Sequence, residues 1–596
     1  MVYSQKDSTF RRCVLCVFYD ADGIVDPYVE VFLQGLRCVA ERIRVIVNGD
    51  ICPEGVEKLS SLADVVQIRE NTGLDITGWR EGMEAEGYDV LSTYDEVVLC
   101  NTTVFGPIYP FQEMFDSMVK KDLDFWGITT FHGDPTDLFG FEKLNCIPQH
   151  IQSYFQVYRK RFIQTDDFKN WWASLADIKT YTQAVERHEA VFTKAMEEKG
   201  YRWAVYCDTA ALEGYTMDPL RDFPRYLIEK LRCPIIKRRS FFHDYNEALG
   251  RSTGEAGPQA FCYIRDHTEY NTDLICQNIL RTENMADIRK RMHLNYVLTS
   301  KHIKKPEYKN EPKTAMIMHI YYPDQAEICA NYAMNFPESI DCFITVPDIK
   351  TLDQVKPYFE MLGKNHVVDY RITGNRGRDL GPFFLYCKDV VESYDLILKV
   401  HDKKVAQLEP MSIGESWCRQ CFACLMENEA FIKNVITLFM EHPRLGMLVP
   451  PVPLHGPYFP TTGLGEWGPN FEATKALADQ LGLKVPISKD KEPSAPIGSM
   501  CWIRTDAIKS MFERHWKESD FPEEPLAIDG TILHGLERVF PFVVQNSGYY
   551  TGGIMSDNWA KIQMDNWNYH LRNITNISGE KTGWSSFLEQ VWRIRH

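Results

Sequence analysis

Residues 396–404, with the sequence LILKVHDKK, bring ionisable side chains to the end of an apolar run. The run is rich in β-prone residues and predicts a buried strand, after which His401, Asp402 and Lys403 follow directly. In an open α/β sheet, ligands bind beyond the carboxyl ends of the strands. Because burying polar groups without partners is costly, we expect a bound ion or ligand at this point.

A second pattern, N-x-G-x-D, precedes a helical segment at two places. Its members are Asn71, Gly73 and Asp75 in the first copy and Asn375, Gly377 and Asp379 in the second. Glycine permits positive φ and a close approach of the backbone to a ligand. Arg376 and Arg378 flank Gly377 and present guanidinium forks suited to phosphate oxygens. The alternative is an ordinary turn, but the recurrence of the pattern favours ligand binding.

Two carboxylates lie where late helical patterns begin. They are Asp529 in AIDGTILHGLER and Glu189 in VERHEAVFTKAM. A carboxylate in the first turn of a helix can act as a cap or as a partner of the helix dipole. The alternative is a general base that removes a proton from a hydroxyl group. His534 and Glu537, one and two turns after Asp529, are placed to support that base.

These residues recur because the sequence contains a long internal repeat. YDEVVLCNTT at 94–103 matches YDLILKVHDK at 394–403, which places Asn101 at the position of His401. Later segments match at larger separations, up to about 346 residues, and the match at about 340 pairs Glu189 with Asp529. The second copy is therefore predicted to carry one insertion of roughly forty residues. A period this long indicates a duplicated domain.

Within each copy, apolar β-rich runs alternate with helical patterns, which predicts an α/β fold with two tandem, mainly parallel, Rossmann-like sheets. We expect a first domain at 10–232, a helical and basic connector at 233–313, a second domain at 314–555 and a helical tail at 556–596. The basic clusters of the connector are solvated helix faces or a surface for anionic lipid or a pyrophosphate-linked acceptor. Apolar residues at helical spacing in 582–596 indicate docking against the domain or membrane contact.

Composition excludes several classes of protein. A formal net charge of −16 argues against a general nucleic-acid binder, which needs a basic surface. The 17 cysteines are scattered, and no secretory leader precedes them, so we expect a reducing cytoplasm. No apolar run is long enough to span a membrane, which leaves a protein that is soluble or peripheral.

Longer blocks of the sequence resemble the rhamnan synthesis protein F family. They are NRGRDLGPFF, YDLILKVHDKK, GSMCWIR and IDGTILHGLER in the second half, and YDEVVLCNTTVFGP, DFWGITT and HIQSYF in the first. The resemblance runs from about residue 10 to about residue 555. It implies two GT-A-like glycosyltransferase domains. The implied reaction is an inverting transfer of L-rhamnose from dTDP-L-rhamnose to a lipid-linked cell-surface polysaccharide, at the cytoplasmic face of a membrane.

The resemblance also implies roles for individual residues. Asp50 and Asp348 fall where such folds contact the nucleoside. The donor loops hold Asn71, Gly73 and Asp75 in the first copy and Asn375, Arg376, Gly377, Arg378 and Asp379 in the second. Glu189 and Asp529 fall at the position of the base.

The ends of the central strands, Asn101 in the first copy and His401 with Asp402 in the second, correspond to the D-x-D position of the family. There, a divalent cation (Mg²⁺ or Mn²⁺) bound by Asp402, or the ammonium of Lys403, would neutralise the diphosphate.

Two other functions stay open at this stage. One is a protein with a single catalytic domain and a degenerate domain that binds the acceptor, since Asn101, Thr102 and Thr103 offer no carboxylate. The other is a non-catalytic carbohydrate-binding protein that assists assembly.

Overall fold

The computed structural model describes residues 10–135, 146–303, 310–360, 367–404, 409–527 and 529–582. The chain forms two compact units, which we call unit 1 (up to Ile279) and unit 2 (from Leu280). The division falls inside the segment predicted as a connector, 233–313. The end of the predicted tail, 583–596, lies outside the described residues.

Unit 1 is built on a sheet of seven strands in the order β10-β6-β9-β4-β1-β2-β3. All neighbours pair in parallel except β9, which runs antiparallel to β4 and β6. Its strands and short pairings are β1 Arg12–Phe18, β2 Arg42–Asn48, β3 Val65–Arg69, β4 Glu96–Asn101, β5 Val104–Phe105, β6 Phe125–Gly127, β7 Thr130–Phe131, β8 His150–Ile151, β9 Phe155–Arg159, β10 Trp203–Val205 and β11 Ile236–Lys237.

Helices connect these strands and cover the sheet. They are α1 Pro27–Arg37, α2 Pro53–Leu62, α3 Leu74–Glu86, α4 Tyr88–Leu91, α5 Phe111–Met118, α6 Lys160–Ile163, α7 Asp166–Ala173, α8 Tyr181–Ala184, α9 Ala190–Glu198, α10 Pro219–Asp222, α11 Pro224–Leu231, α12 Tyr245–Leu249, α13 Ala256–His267 and α14 Asp273–Thr282. A π-helical turn, Val185–Glu189, joins α8 to α9. The β1 sequence RCVLCVF is buried at every position, as expected for a central parallel strand covered on both faces.

Unit 2 repeats this topology with an additional edge strand. Its order is β12-β19-β17-β18-β16-β13-β14-β15, and β18 is the antiparallel strand. The strands are β12 Asn295–Leu298, β13 Thr314–His319, β14 Asp341–Val346, β15 Val368–Ile372, β16 Leu396–His401, β17 Leu445–Val449, β18 Cys501–Arg504 and β19 Tyr550–Ser556.

The helices of unit 2 are α15 Met285–Arg291, α16 Ala326–Ala333, α17 Ile349–Phe359, α18 Leu380–Tyr386, α19 Lys388–Ser393, α20 Ser412–Leu425, α21 Glu429–Glu441, α22 Phe471–Gln480, α23 Lys509–Glu513, α24 Ile532–Asn546 and α25 Asp557–Thr582. None of the helices in the described ranges is long and apolar enough to cross a membrane.

The two topologies confirm the α/β class with two mainly parallel sheets. They also correct the predicted single insertion. Corresponding strands begin 300 residues apart at β4 and β16, 320 apart at β6 and β17, and 346 apart at β9 and β18. The second copy is therefore longer in two places, on either side of β17. One extra segment contains α20, and the other precedes β18.

Candidate functional site

Asn101 and His401 occupy the same place in the two sheets. Asn101 ends β4 opposite Val17 of β1, and His401 ends β16 opposite His319 of β13. In both sheets this is the carboxyl end of a central parallel strand, next to the antiparallel strand. The structure therefore places both predicted strand ends at the edge where α/β proteins bind ligands.

In unit 1, the N-x-G-x-D pattern meets the end of β4. Gly73 has φ +67°, and a Cβ there would collide with the Thr77 side chain, so this position requires glycine. Asp75 Oδ2 accepts a hydrogen bond of 2.7 Å from Asn101 Nδ2. Burial raises the pKa of Asp75, and the bond from Asn101 partly offsets this. Asn101 thus positions Asp75 at the ligand edge.

The sequence suggested that Glu189 lies in the first turn of its helix. In the structure, Glu189 lies in the π turn instead. The helix begins at Tyr181, and Glu189 is the last residue of the turn. Its Oε1 accepts a hydrogen bond of 3.2 Å from the backbone N–H of Ser153, which precedes β9. π turns occur frequently at functional sites. Glu189 is thereby held beside the strand end.

The neighbouring His188 belongs to the core. It is fully buried, and Trp171 Nε1 donates a 3.0 Å hydrogen bond to its Nδ1. Burial lowers the pKa of His188 to about 3, so the imidazole is neutral. Of these two adjacent ionisable residues, only Glu189 is available for chemistry.

Lys237 joins this cluster, although the sequence indicated only a basic connector. Its Nζ lies 3.9 Å from the centre of the Tyr154 ring. Burial lowers the pKa of Lys237 to about 8, while Glu189, Asp218 and Asp75 act in the opposite direction. Sequence periodicity could not identify Lys237 as a site residue. The strand that places it there, β11, has only two residues and is too short to show a periodic pattern.

In unit 2, Asp379 is held by a buried lysine. Lys399 Nζ lies 2.6 Å from Asp379 Oδ2, and the Ser499 hydroxyl donates to the same oxygen. Burial alone would raise the pKa of Asp379, but the ammonium of Lys399 and the hydrogen bond from Ser499 hold it well below the usual range. In the sequence, the signal for this ion pair is Lys399 itself, a charged residue inside the otherwise apolar segment LILKV.

His401 is fixed by two carbonyl groups. Its Nδ1 lies 2.5 Å from the Asp402 carbonyl oxygen, and its Nε2 lies 2.8 Å from that of Gly498. Burial lowers the pKa of His401. A neutral imidazole has one N–H and donates to one of these carbonyls at a time. The ring therefore joins the end of β16 to the segment before β18.

Asp402 and its neighbours do not fit a divalent cation. Asp402 Oδ2 accepts hydrogen bonds from the backbone N–H groups of Tyr321 and Tyr322, at 3.0 and 2.5 Å. Burial raises the pKa of Asp402 to about 7. Asp379 is neutralised by Lys399, and Asp324 pairs with Lys404 at 2.6 Å. Within the described ranges, no three His, Cys, Asp or Glu side chains are grouped to hold a metal ion.

The donor loop of unit 2 turns at Gly377. This residue has φ +81°, and a Cβ would lie 2.7 Å from the Phe521 ring. Arg376 Nε donates to the Phe521 carbonyl oxygen at 2.7 Å, and Arg378 Nε lies 3.1 Å from Glu524 Oε1. Both guanidinium groups are therefore engaged with residues 521–524.

Asp529 precedes helix α24. It accepts hydrogen bonds from Asn470 Nδ2 at 2.7 Å and from the Gly530 N–H at 2.8 Å, and its side chain is 41% exposed. Its Oδ1 lies 3.7 Å from His534 Nδ1.

Glu537, and not Asp529, is the structural counterpart of Glu189. Glu537 Oε2 accepts a 2.9 Å hydrogen bond from the Gly498 N–H, as Glu189 does from Ser153. Ser153 and Gly498 hold the same register, since Leu99 pairs with Gln156 and its counterpart Lys399 pairs with Cys501, three residues after Ser153 and Gly498 respectively. The predicted pairing of Glu189 with Asp529 is therefore wrong by two helical turns. Burial raises the pKa of Glu537.

The remaining predicted residues lie on exposed loops at the same edge of each sheet. Asp50 and Asn71 follow β2 and β3, and Asp348 and Asn375 follow β14 and β15. Asp348 also caps α17, because its Oδ1 accepts a 2.8 Å hydrogen bond from the Thr351 N–H, which lowers its pKa.

Comparison with known proteins gives a family match that covers most of the chain. The family model described as rhamnan synthesis protein F matches residues 43–549. Over 241 residues the chain is 25% identical to the uncharacterized protein WxcX of Xanthomonas campestris pv. campestris strain B100. This stretch covers 40% of the chain and 32% of that relative, so the match spans about a third of the relative's length.

Similar solved structures include two sugar transferases. The glycosyltransferase GlyE of Streptococcus pneumoniae TIGR4 is 9% identical with a TM-score of 0.23, and the match covers 72% of this chain and 99% of that one. Mouse xyloside xylosyltransferase 1 is 9% identical with a TM-score of 0.21, over 38% of this chain and 97% of that one.

Proposed function

Because the chain belongs to the rhamnan synthesis protein F family, we propose that it is a glycosyltransferase of polysaccharide synthesis that transfers L-rhamnose from dTDP-L-rhamnose to a lipid-linked cell-surface polysaccharide. One observation carries the proposal to the level of residues. In each unit, a glutamate and a lysine lie near the carboxyl end of a central strand and interact electrostatically, Glu189 with Lys237 and Glu537 with Lys403. A carboxylate and a cation at one point suit the removal of a proton and the binding of a phosphate.

The reaction is an inverting displacement. The acceptor hydroxyl oxygen forms a bond to C1 of rhamnose, while the bond from C1 to the diphosphate oxygen breaks. The hydroxyl proton passes to a carboxylate. The electron pair of the broken bond leaves with dTDP, whose negative charge lies next to a cationic side chain. Preorganised charges of this kind usually contribute most to catalysis, and the positioning of donor and acceptor adds to it.

Glu189 is the proposed base of unit 1, and Asp529 is the proposed base of unit 2. Asp529 is the more exposed of the two acids in unit 2, with 41% of its side chain accessible against 12% for Glu537, and so it is open to an acceptor. Glu537 occupies the place of Glu189, however, which makes it the alternative base. A comparison of the two variants decides between them.

The donor would lie along the loops at the carboxyl edge. Asp50, Asn71 and Asp75 line this edge in unit 1, with Asp348, Asn375 and Asp379 in unit 2. Asp50, Asn71, Asp348 and Asn375 are exposed and so accessible to a nucleoside. His401 and Asp402 shape the floor, and the tight turns at Gly73 and Gly377 allow the backbone to approach the sugar diphosphate.

Of the two enzymes considered, one with two catalytic units that add two linkages is favoured over one with a single catalytic domain. The same combination of strand end, N-x-G-x-D aspartate, glutamate and lysine is present in both units, which supports activity in both. A non-catalytic assembly protein would have no need of it.

The test is an assay of the full chain with dTDP-L-rhamnose and a rhamnosylated lipid acceptor, followed by mass spectrometry. We expect Glu189→Gln, and one of Asp529→Asn and Glu537→Gln, to slow their transfer steps by about 10²- to 10⁴-fold, the range for loss of a general base. The exposed carboxylates Glu197 and Asp506 give the control variants Glu197→Gln and Asp506→Asn. Absence of turnover by the wild type would refute the proposal. Full turnover by a triple variant at Glu189, Asp529 and Glu537 would refute the assignment of bases.

A further inference from the structure

The position of Lys403 is occupied by a neutral residue in unit 1. Lys403 follows His401, the end of β16, by two residues, and Thr103 follows Asn101, the end of β4, by two residues. The matched register of the two strand ends makes Thr103 the counterpart of Lys403 in the chain. On the sequence alone, unit 1 therefore lacks the cation of unit 2.

A distant segment brings a lysine to this place. In strand β11, Lys237 pairs with Val104, the residue after Thr103. The backbone N–H of Arg238 donates a 3.1 Å hydrogen bond to the Thr103 carbonyl oxygen. These backbone contacts fix Lys237 beside Thr103.

The two lysines have matching surroundings. Lys237 Nζ lies 3.9 Å from the centre of the Tyr154 ring, and Lys403 Nζ lies 3.7 Å from a ring centre of Trp417. Tyr154 adjoins Ser153, whose N–H binds Glu189. Gly498 holds the equivalent position in unit 2, where its N–H binds Glu537 and an added Cβ would lie 3.5 Å from Lys403 Nζ.

Both ammonium groups lack hydrogen-bond acceptors among the described residues. An ammonium has three N–H donors, and an aromatic face satisfies them only by electrostatic attraction. Neither lysine forms an ion pair within 4 Å in the described part of the chain, although Glu189 and Glu537 lie close enough to affect charge at each site. A half-buried cation whose N–H groups have no acceptor among these residues favours an anionic ligand.

We propose that Lys237 is the counterpart of Lys403 and that each ammonium binds the diphosphate of the sugar donor, in place of a divalent cation. The identity of that diphosphate rests on the proposed function. The carboxylates of unit 2 that a metal ion would need are already paired with Lys399, Lys404 and backbone N–H groups. In unit 1, the strand end provides an amide and two hydroxyl groups, from Asn101, Thr102 and Thr103.

The charge of Lys237 makes binding in unit 1 sensitive to pH. Since the pKa of Lys237 is about 8, its ammonium is present at pH 7 and is lost as the pH rises to 9. The titratable and charged groups that face it are Glu189, Asp218, Asp75 and Arg239, with His150 and Tyr181 interacting with Glu189 and Asp218. Lys237→Arg keeps a positive charge throughout this range and leaves the other groups unchanged.

The experiment is calorimetric titration of the full chain with dTDP and, separately, with inorganic pyrophosphate, in the presence of a chelator. We expect two dTDP sites per chain, each retained without Mg²⁺ or Mn²⁺. Lys237→Met and Lys403→Met should each weaken one site by about 10- to 100-fold for both titrants. Lys230→Met and Lys475→Met, which remove exposed lysines that pair with Glu229 and Asp479, serve as matched controls.

The pH arm uses the Lys403→Met background, so that only unit 1 binds. Affinity should fall from pH 7 to pH 9 with Lys237 and stay constant with Lys237→Arg. Binding that requires a divalent cation, or that survives Lys237→Met, would overturn the lysine proposal while leaving the transferase intact. Binding of pyrophosphate but not of dTDP would uphold the lysines and contradict the nucleotide donor. If neither titrant binds, both proposals are wrong.

Discussion

At the scale of single residues, the partner of each carboxylate determines its charge. Asp379 and Asp402 lie near the end of the same strand, yet their pKa values shift in opposite directions. Asp379 contacts the ammonium of Lys399, which favours the ionised form. Asp402 is buried and, among the residues that the structure describes, accepts hydrogen bonds from two backbone N–H groups, so that burial dominates and favours the protonated form. Residue type and position in the sequence do not distinguish the two.

The raised pKa of Asp402 predicts a pH-dependent effect of Asp402→Asn. The folded protein holds this proton up to a pH of about 7, whereas an unfolded aspartate, whose ordinary pKa is 3.8, loses it near that pH. The stability contributed by the protonated form is present below pH 4, declines as the pH rises to 7, and is constant above. Asp402→Asn should therefore gain stability over the wild type across this window, by at most about 1.4 kcal/mol per pH unit.

Urea unfolding between pH 4.5 and pH 8 measures this difference. Asp506→Asn, a change at an exposed aspartate, should leave the free energy of unfolding of the protein unchanged over the same range apart from its surface ion pair with Lys509. A constant difference between Asp402→Asn and the wild type at all pH values would show that Asp402 is ionised throughout.

At the scale of elements, helix α25 presents an unusual face. Its polar residues Gln563, Asn566, His570 and Asn573 point toward unit 2, and His570 Nε2 bonds the Leu454 carbonyl oxygen at 2.9 Å. An outward stripe consists of Met564, Trp567, Leu571 and Ile574, each between 44% and 61% exposed. This stripe, which we call the α25 stripe, lies just before residues 582–596, for which the sequence left membrane contact open beside docking against the domain, and it is a second apolar surface suited to a lipid contact.

The α25 stripe predicts binding to vesicles by an apolar contact. The charges of the helix nearly balance, so co-sedimentation with phosphatidylcholine vesicles should persist at high salt. Met564→Ser combined with Leu571→Ser should reduce it by about tenfold or more, because each change removes an apolar side chain from the lipid contact. Ile562→Ser with Tyr569→Ser is the matched control, since both residues are apolar and exposed but lie outside the stripe. If both double variants lose vesicle binding equally, the stripe does not face the lipid. The same conclusion follows if the wild type itself does not bind vesicles.

Helical periodicity explains why the sequence paired the wrong acids. The shift from Asp529 to Glu537 is eight residues, about two turns, and such a shift leaves the apolar face of a helix nearly unchanged. The match of Glu189 to Asp529 therefore satisfied the pattern as well as the correct match to Glu537 did. The hydrogen bonds from Ser153 and Gly498 fix the alignment instead, because each joins the helix to a strand whose register is known.

At the scale of the whole molecule, the duplication predicts two separable transfer steps. If each unit adds one linkage, Glu189→Gln and the unit 2 base variant should each stop the polymer after a different single addition. Mixing the two variant chains should restore longer products, provided that the intermediate passes between chains through solution. A mass-spectrometric ladder of the products measures this.

Doubling the amount of either variant alone is the control and should leave the products stalled. Long products from one variant by itself would instead indicate a single catalytic unit. A mixture that remains stalled would contradict exchange of the intermediate.

The sequence by itself determined the fold class, the duplication and the strand ends at Asn101 and His401. These depend on local periodicity and on repeated blocks, which are visible in one dimension. Only the tertiary structure decided that Lys237 stands beside Thr103, that Glu537 matches Glu189 and that Lys399 neutralises Asp379. Each of these is a contact between side chains or short strands that are far apart in the chain, and such contacts leave no periodic signal in the sequence.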